Sequence, residues 1–336
     1  MKINNDFFMN LAINEAWKYQ FLTYPNPAVG CVVVKGESEI LAIEAHKEAG
    51  MPHAEVNALK AAFLKYHPND VLKTLNDSFK IHEYLIKNHK GFFNDCKVYV
   101  TLEPCNHIGK TPSCANLIKE LKPNKVIIGH EDSNKDAKGG IETLKLADID
   151  IELDCLKKEA YELLYPFLKW NSGTFIFYKM AQTLNGSVDG AISANQAKAY
   201  VHSLRDKIDL LLIGGNTVRT DKPTLDARYI AGRAPNVMIY SKNKIFDRKI
   251  PLFHIPNRDV VISDDLFKLL DHKFIMVEGT YTLLDTLKEK LDYILLIVNP
   301  KIRKGSNALN DLDIDFEIVH ENYIGEEKLV FLKRKS

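Results

Sequence analysis

The chain has 336 residues, 46% of them hydrophobic and 26% charged, an ordinary globular composition over a length that suits two domains better than one. A formal net charge of +1 supplies no overall basic surface for a polyanion, so nucleic acid is not the expected substrate, although local patches stay open. Apolar runs such as Tyr293 to Val298 are far too short to cross a bilayer, and Asp6 and Glu15 break up the N-terminus; no membrane partner is expected, and the location is expected to be cytoplasmic.

Phe7, Phe8, Leu11, Ala12, Ala16 and Trp17 recur with helical period and predict an opening amphipathic helix, ended by Tyr24-Pro25-Asn26-Pro27. Val29 to Val34 and Ile40 to Ile43 read as two strands of a hairpin that turns around Gly36. A helix follows Pro52. Residues 65–95 are polar and rich in Lys and Asn, carry no chemical motif, and read as a surface insertion. Lys97 to Leu102 and Lys125 to Gly129 are short buried strands flanking a helix from about Cys114 to Leu121, an α/β pattern whose loops lie at strand ends. A helical segment around Leu156 to Trp170 runs into Asn171-Ser172-Gly173, which sets the expected organisation: a first domain over 1–155, a connecting helix and linker over 156–172, and a second domain over 173–336. That second domain is again α/β. Strands are predicted at Phe175 to Ala181, Asp209 to Ile213, Val237 to Tyr240, Phe274 to Val277 and Tyr293 to Val298, with helices at Gln196 to Arg205 and about Leu283 to Lys290.

His53-Ala54-Glu55, followed far downstream by Pro104-Cys105 and Cys114, supplies one imidazole, two thiolates and a carboxylate that is not needed as a ligand. Zinc held by one His and two Cys keeps a position open for water, whereas a structural site normally fills it with a fourth protein ligand. Metal binding lowers the pKa of that water, and Glu55 is placed to ferry its proton to a leaving amine, so the pattern points to one catalytic zinc ion per chain and a hydrolytic deaminase. Cys114 stands at a predicted helix start, which favours the thiolate. The spacing departs from the common Pro-Cys-x-x-Cys pattern, since 114 − 105 = 9 leaves eight residues between the cysteines. A folding zinc clip, or simple burial of these residues, is the bland alternative. Cys31, Cys96 and Cys155 are an odd, unpatterned remainder, and no disulfide framework is expected.

The segment Thr101-Leu102-Glu103-Pro104-Cys105-Asn106-His107-Ile108-Gly109-Lys110-Thr111-Pro112-Ser113-Cys114, together with Pro25-Asn26-Pro27-Ala28-Val29-Gly30-Cys31 and His46-Lys47-Glu48-Ala49-Gly50-Met51-Pro52-His53-Ala54-Glu55, resembles the bacterial bifunctional riboflavin-biosynthesis deaminase/reductases. That resemblance implies a cytidine-deaminase-like three-layer αβα domain, with His53, Cys105 and Cys114 on zinc, Glu55 as proton shuttle and Asn26 hydrogen-bonded to the pyrimidine. His46 and His107 are read as substrate contacts, with packing and loop support as their alternatives.

In the second half, Lys179 to Gly186, Val201 to Arg205, Asp209 to Gly215 and Thr217 to Arg228 resemble the family's reductase domain, which implies a dihydrofolate-reductase-like α/β fold using NADPH. By the same resemblance Arg205, Leu225, Arg228 and Glu278 contact substrate, and Gln182, Thr217, Asp221 and Thr280 contact cofactor. Guanidinium forks suit a phosphate. Three segments depart from the family: Thr183-Leu184-Asn185-Gly186 replaces Ser-Leu-Asp-Gly, Ala191-Ile192-Ser193 replaces Trp-Ile-Thr, and Glu278-Gly279-Thr280-Tyr281 lacks a second glycine, which is expected to narrow or reshape the cofactor site. The expected partner is a small pyrimidine nucleotide, acted on by a homo-oligomer. An active deaminase with an inert reductase-like scaffold is one competing reading, and a nucleic-acid-editing zinc deaminase is another.

Overall fold

The computed structural model describes residues 4–134, 138–305 and 313–335. The chain divides into two compact units, Met1–Phe167 and Leu168–Ser336.

The first unit runs α1 (Asn5–Trp17), β1 (Gly30–Lys35), β2 (Glu39–Ala45), α2 (Ala54–Tyr66), α3 (Ser78–Asn88), β3 (Cys96–Leu102), α4 (Cys114–Leu121), β4 (Lys125–His130), α5 (Gly140–Lys145) and β5 (Asp150–Glu152); α6 (Lys157–Ser172) spans the division. Five strands form one sheet in the order β2-β1-β3-β4-β5, antiparallel from β2 through β3 and parallel from β3 to β5. Side chains alternate across a strand, so each strand feeds two layers. Cys31, Val33, Val98, Val100, Val126 and Ile128 enter a core with α2, α3 and α4. Tyr99 faces the other way, where its ring lies 5.1 Å from Phe8 of α1 and its hydroxyl donates to Asn5. The result is three layers with the sheet in the middle. Gly30 is required by the close approach of α1, because a Cβ there would collide with the Ala12 carbonyl.

Residues 65–95 differ from the surface insertion expected of them. Asp77 caps α3 by accepting from Lys80 N–H, and Leu72, Ile81, Leu85 and Phe93 are at most 1% exposed and belong to the core. The apolar stripe is only Ile81 and Leu85 with half-buried Tyr84, too brief a periodic signal to stand out from the lysines and asparagines around it.

The second unit contains β6 (Phe175–Thr183), α7 (Asn195–Lys207), β7 (Leu210–Gly214), α8 (Gly215–Asp221), β8 (Asn236–Tyr240), β9 (Val260–Ser263), β10 (Phe274–Glu278), α9 (Tyr281–Leu287), β11 (Tyr293–Asn299), β12 (Phe316–Ile324) and β13 (Glu327–Arg334). Its eight-stranded sheet has the order β12-β13-β11-β6-β10-β7-β8-β9. Strands β6 to β11 run parallel, and β13 and β12 add an antiparallel end. Parallel strands buried on both faces read as unbroken apolar runs, and Phe175 to Tyr178 of β6, Leu210 to Ile213 of β7 and Phe274 to Val277 of β10 are such runs. The β12–β13 hairpin and β9 are not among the strands expected from sequence: β12 mixes apolar with charged and polar residues, and β9 is only four residues long. Among the described residues no helix is long and apolar enough to cross a membrane, and the five cysteines are free of disulfides.

Candidate metal centre and a second cavity

Three separate pieces of the first unit bring three metal-binding atoms together. His53 is the residue before α2 and makes no side-chain cap bond, so its ring is available elsewhere. Its Nδ1 lies 3.6 Å from Cys105 Sγ and 3.5 Å from Cys114 Sγ, and all three donor atoms fall within 4.8 Å of one another. Cys105 follows the end of β3, and Cys114 opens α4. Ser113 joins them: its hydroxyl accepts from Asn116 N–H as the helix cap and donates to the Cys105 carbonyl at 3.0 Å. One imidazole nitrogen and two sulfurs at these separations fit a single zinc ion, whose bonds to sulfur and nitrogen are about 2.3 and 2.0–2.1 Å. No fourth His, Cys, Asp or Glu completes the group among the described residues, so a ligand position is left for water. Thr111 Oγ1 meets His53 Nε2 at 3.1 Å and orients the ring from behind, the usual outer-shell arrangement for a ligating histidine. Hydrogen bonding from Cys114, with His53 adding, holds the Cys105 thiol below its ordinary value, and hydrogen bonding to Cys105 together with burial pushes the Cys114 thiol up.

The centre opens on a cavity of about 310 Å³ lined by Asn26, His46, His53, Glu55, Cys105 and His107 among others. Every deaminase-side position singled out in the sequence lies here except Cys114, which is fully buried behind the other two donors. Burial pushes the Glu55 carboxyl up to about 7, the neighbouring Cys105 adding to the effect and His53 opposing it, which suits a group that must take and give a proton. His46 is kept neutral, pushed down to about 4 by burial and by His53. Its Nδ1 meets the Pro52 carbonyl at 3.2 Å, so that nitrogen carries the proton and Nε2 accepts from the Asn26 side-chain amide at 3.2 Å. Asn26 and His46 thus form one pair on the wall. His107 is exposed at the same cavity.

Glu103 was missed by the sequence reading. Its buried carboxylate accepts from the backbone N–H groups of Asp132, Gly139 and Ile141 at 3.0, 3.0 and 3.1 Å. It therefore ties the strand end preceding Cys105 to the loop after β4 and to the start of α5, and Asp132 and Asn134 of that loop line the cavity. Gly140 lets α5 come this close, since a Cβ would strike the Pro104 carbonyl. Nothing in the local pattern marks Glu103 beyond its place before Pro104-Cys105, because its partners are backbone groups far along the chain.

The second unit has a cavity of about 450 Å³ where β6, β7 and β10 end, the usual ligand position on an open parallel sheet. Arg205, Thr217, Asp221, Leu225, Glu278 and Thr280 line it. Gln182 and Arg228 do not. Arg228 pairs with Asp226 at 2.8 Å and borders a separate cavity of about 280 Å³. Arg205 is engaged with Glu278 through Nε and Nη2, at 3.1 and 2.9 Å to Oε1, and Lys179 Nζ reaches the same carboxylate at 3.4 Å. Burial pushes the Glu278 carboxyl up, but Arg205 and Lys179 outweigh it and hold it at about 2. Asn185 has a local structural role: its side chain accepts from Thr183 Oγ1 and from Arg303 N–H and donates to the Arg303 carbonyl, clipping two loops together. Thr280 caps no helix with its side chain, and its carbonyl and that of Gly279 both accept from the Tyr178 hydroxyl.

Comparison with known proteins matches each half of the chain separately. Residues 2–130 match the cytidine and deoxycytidylate deaminase zinc-binding region, and residues 174–303 match the RibD C-terminal domain. The riboflavin biosynthesis protein RibD of Aquifex aeolicus is 29% identical over 97% of this chain and 98% of its own. That of Haemophilus influenzae is 35% identical over a stretch covering 66% of this chain and 55% of the relative. A diaminohydroxyphosphoribosylaminopyrimidine deaminase/5-amino-6-(5-phosphoribosylamino)uracil reductase from Thermotoga maritima has a solved structure that superposes with a TM-score of 0.65 at 25% identity, covering 98% of both chains. With a zinc-deaminase half and a RibD C-terminal half in one chain, both spanned by a full-length relative, this protein belongs to the RibD family of bifunctional riboflavin biosynthesis enzymes.

Proposed function

We propose that the chain performs two successive reactions on one nucleotide: hydrolytic deamination of 2,5-diamino-6-ribosylamino-4(3H)-pyrimidinone 5′-phosphate, then NADPH-dependent reduction of the ribosyl side chain to ribityl. The first is assigned to residues 1–155 and the second to 173–336, with 156–172 as the connection. The observation that carries the reading is the grouping of His53, Cys105 and Cys114 beside Glu55 on a cavity wall. A zinc ion bound by these three residues supplies an activated water as nucleophile. Glu55 protonates the ring nitrogen and then passes a proton to the departing amine, which leaves as ammonia. Asn26 and His46 present polar groups to the pyrimidine, and the neutral state of His46 leaves their mutual hydrogen bond intact through the neutral pH range.

For the second reaction NADPH supplies the hydride, and the chain's own task is to position the opened sugar against it. Glu278, held as an anion between Arg205 and Lys179, is a fixed hydrogen-bond acceptor for the sugar's hydroxyls, while Thr217, Asp221 and Thr280 border the place assigned to cofactor. The formed cavity with its charged wall favours an active reductase over an inert scaffold, and the net charge of +1 argues against nucleic acid. Free thiols throughout support a cytoplasmic setting. The exposed Ile318 and Tyr323 on edge strand β12 support self-association. Incubating purified protein with the diaminopyrimidine nucleotide, with and without NADPH, and identifying products by mass tests the whole reading: loss of an amine without NADPH, followed by a two-hydrogen gain with it, is the expected result.

A further inference from the structure

Helix α7 begins where its own sequence cannot secure it. The N–H groups at a helix start lack partners within the helix, and the local remedy is a Ser, Thr, Asp or Asn cap with a Glu or Gln three residues on, which reaches back to the cap N–H. In α7 the cap residue is Ala194 and the residue three further on is Ala197. The carboxylate comes instead from far along the chain: Glu327, the first residue of β13, accepts from the Ala194 N–H at 3.1 Å across 133 residues. Its second oxygen accepts from the side-chain amide of Asn299, the last residue of β11, at 2.9 Å, and the same amide donates to the Ile192 carbonyl at 3.0 Å. Both partners of that amide nitrogen are acceptors, which sets its orientation. Glu327 is 1% exposed and Asn299 4%. Arg303 Nη1 adds a third grip, on the Ala191 carbonyl at 3.0 Å. Gly325, in the turn between β12 and β13, lies against Gln196 in the first turn of α7. Of residues 191–194 only Ile192 is buried, so backbone grips rather than side-chain packing hold this segment.

We propose that Glu327 and Asn299, assisted by Arg303, are positioning residues for the second cavity: they clamp the backbone on both sides of Ser193 and so fix the wall made by Ile192 and Ser193, together with the start of the helix that carries Arg205. The assignment rests on the reading of this cavity as the reductase site. None of the three side chains lines the cavity, so they act through the backbone they hold. Without the clamp the segment has to be ordered at the moment of binding, and apparent affinity falls with the fraction of time the wall is formed. The assembled complex then reacts nearly as before, so the loss falls on KM more than on kcat.

Steady-state reduction by the full-length zinc-loaded enzyme tests the clamp. Glu327→Gln exchanges one acceptor for a donor, which then faces either the Ala194 N–H or the Asn299 amide, so one of the two hydrogen bonds is lost. It is expected to raise the KM of NADPH or of the deaminated nucleotide by about ten- to hundredfold, the effect of losing a hydrogen bond to a charged group, with a much smaller change in kcat. Arg303→Met alters a half-exposed side chain and leaves the buried pair intact, and it is expected to move the same KM in the same direction by less. If Glu327→Gln does not fold, Arg303→Met decides. KM unchanged, or kcat lowered with KM unmoved, overturns the proposal. Hydrogen exchange read by mass spectrometry needs no turnover and keeps the two readings apart: Glu327→Gln is expected to speed exchange within residues 191–197 while the rate of deamination stays as it was. Such local loosening in a protein whose parent oxidises no NADPH leaves the clamp standing and removes the reductase; exchange unchanged over 191–197 removes the clamp.

Discussion

Glu55 and Glu278 are both carboxylates on cavity walls, one in each unit, and their surroundings drive them in opposite directions. Burial lifts Glu55 to about 7, and the charge of Cys105 adds to that push. Burial acts on Glu278 in the same sense, yet two cations at its oxygens hold it at about 2. A carboxyl near neutrality exchanges protons at working pH, while one locked between Arg205 and Lys179 is a fixed anion that orders its neighbours. In the proposed function the same side chain therefore carries protons in one half and stands as a fixed charge in the other, and the partners decide which.

The largest way to break this contrast is at the metal. Cys114→Ser is expected to bring zinc content from one per chain toward none and ammonia release to background, with NADPH oxidation on deaminated substrate retained; full zinc content by atomic absorption would contradict the ligand assignment. Glu55→Gln sharpens the point, because it should lower deamination by about 10³-fold while zinc stays bound, within the usual range for a lost general acid–base. Retained turnover would remove Glu55 from the mechanism.

Glu278→Gln should act through structure as well as activity. It leaves Arg205 and Lys179 largely buried without their anion, a loss of roughly 3–5 kcal/mol by comparison with other broken buried pairs. Of the two tryptophans, Trp17 lies in the first unit and Trp170 in the second. Denaturant unfolding in a Trp17→Phe background therefore reports the second unit alone, and an unchanged midpoint would show the ion pairs to be idle. Acid titration gives a related, somewhat smaller effect. The Glu278 carboxyl sits below its ordinary value in the folded chain, so its contribution, on the order of 3 kcal/mol, is complete above about pH 5 and fades as pH falls toward 2. That acid sensitivity should shrink in Glu278→Gln. The smallest effect is expected in α3: Ile81→Val should cost the first unit about 1 kcal/mol, as for other buried methylene deletions, whereas a true surface insertion would register nothing.

The strands of both sheets that carry the sites were legible as apolar runs, and α4 was bounded from the sequence at Cys114 and Leu121 because Ser113 caps it and an apolar stripe follows. The zinc residues could be read from their chemistry, since few sets other than His, Cys and Cys with a spare Glu serve hydrolysis. What escaped was long-range or weakly patterned. Glu103 holds backbone groups between 29 and 38 residues away, and no spacing rule reports that. Arg205 reads equally well as a phosphate ligand or as the partner of Glu278, which lies 73 residues further on.

The order of residues alone marked most of the helices, the apolar strands and the side chains with the chemistry to bind a metal or move a proton, because periodicity and donor type are local properties. Only the tertiary structure decided what each charged group does. Ionisation and availability depend on solvent exclusion and on neighbours brought in by folding, as when β10 places Glu278 against Arg205 of α7.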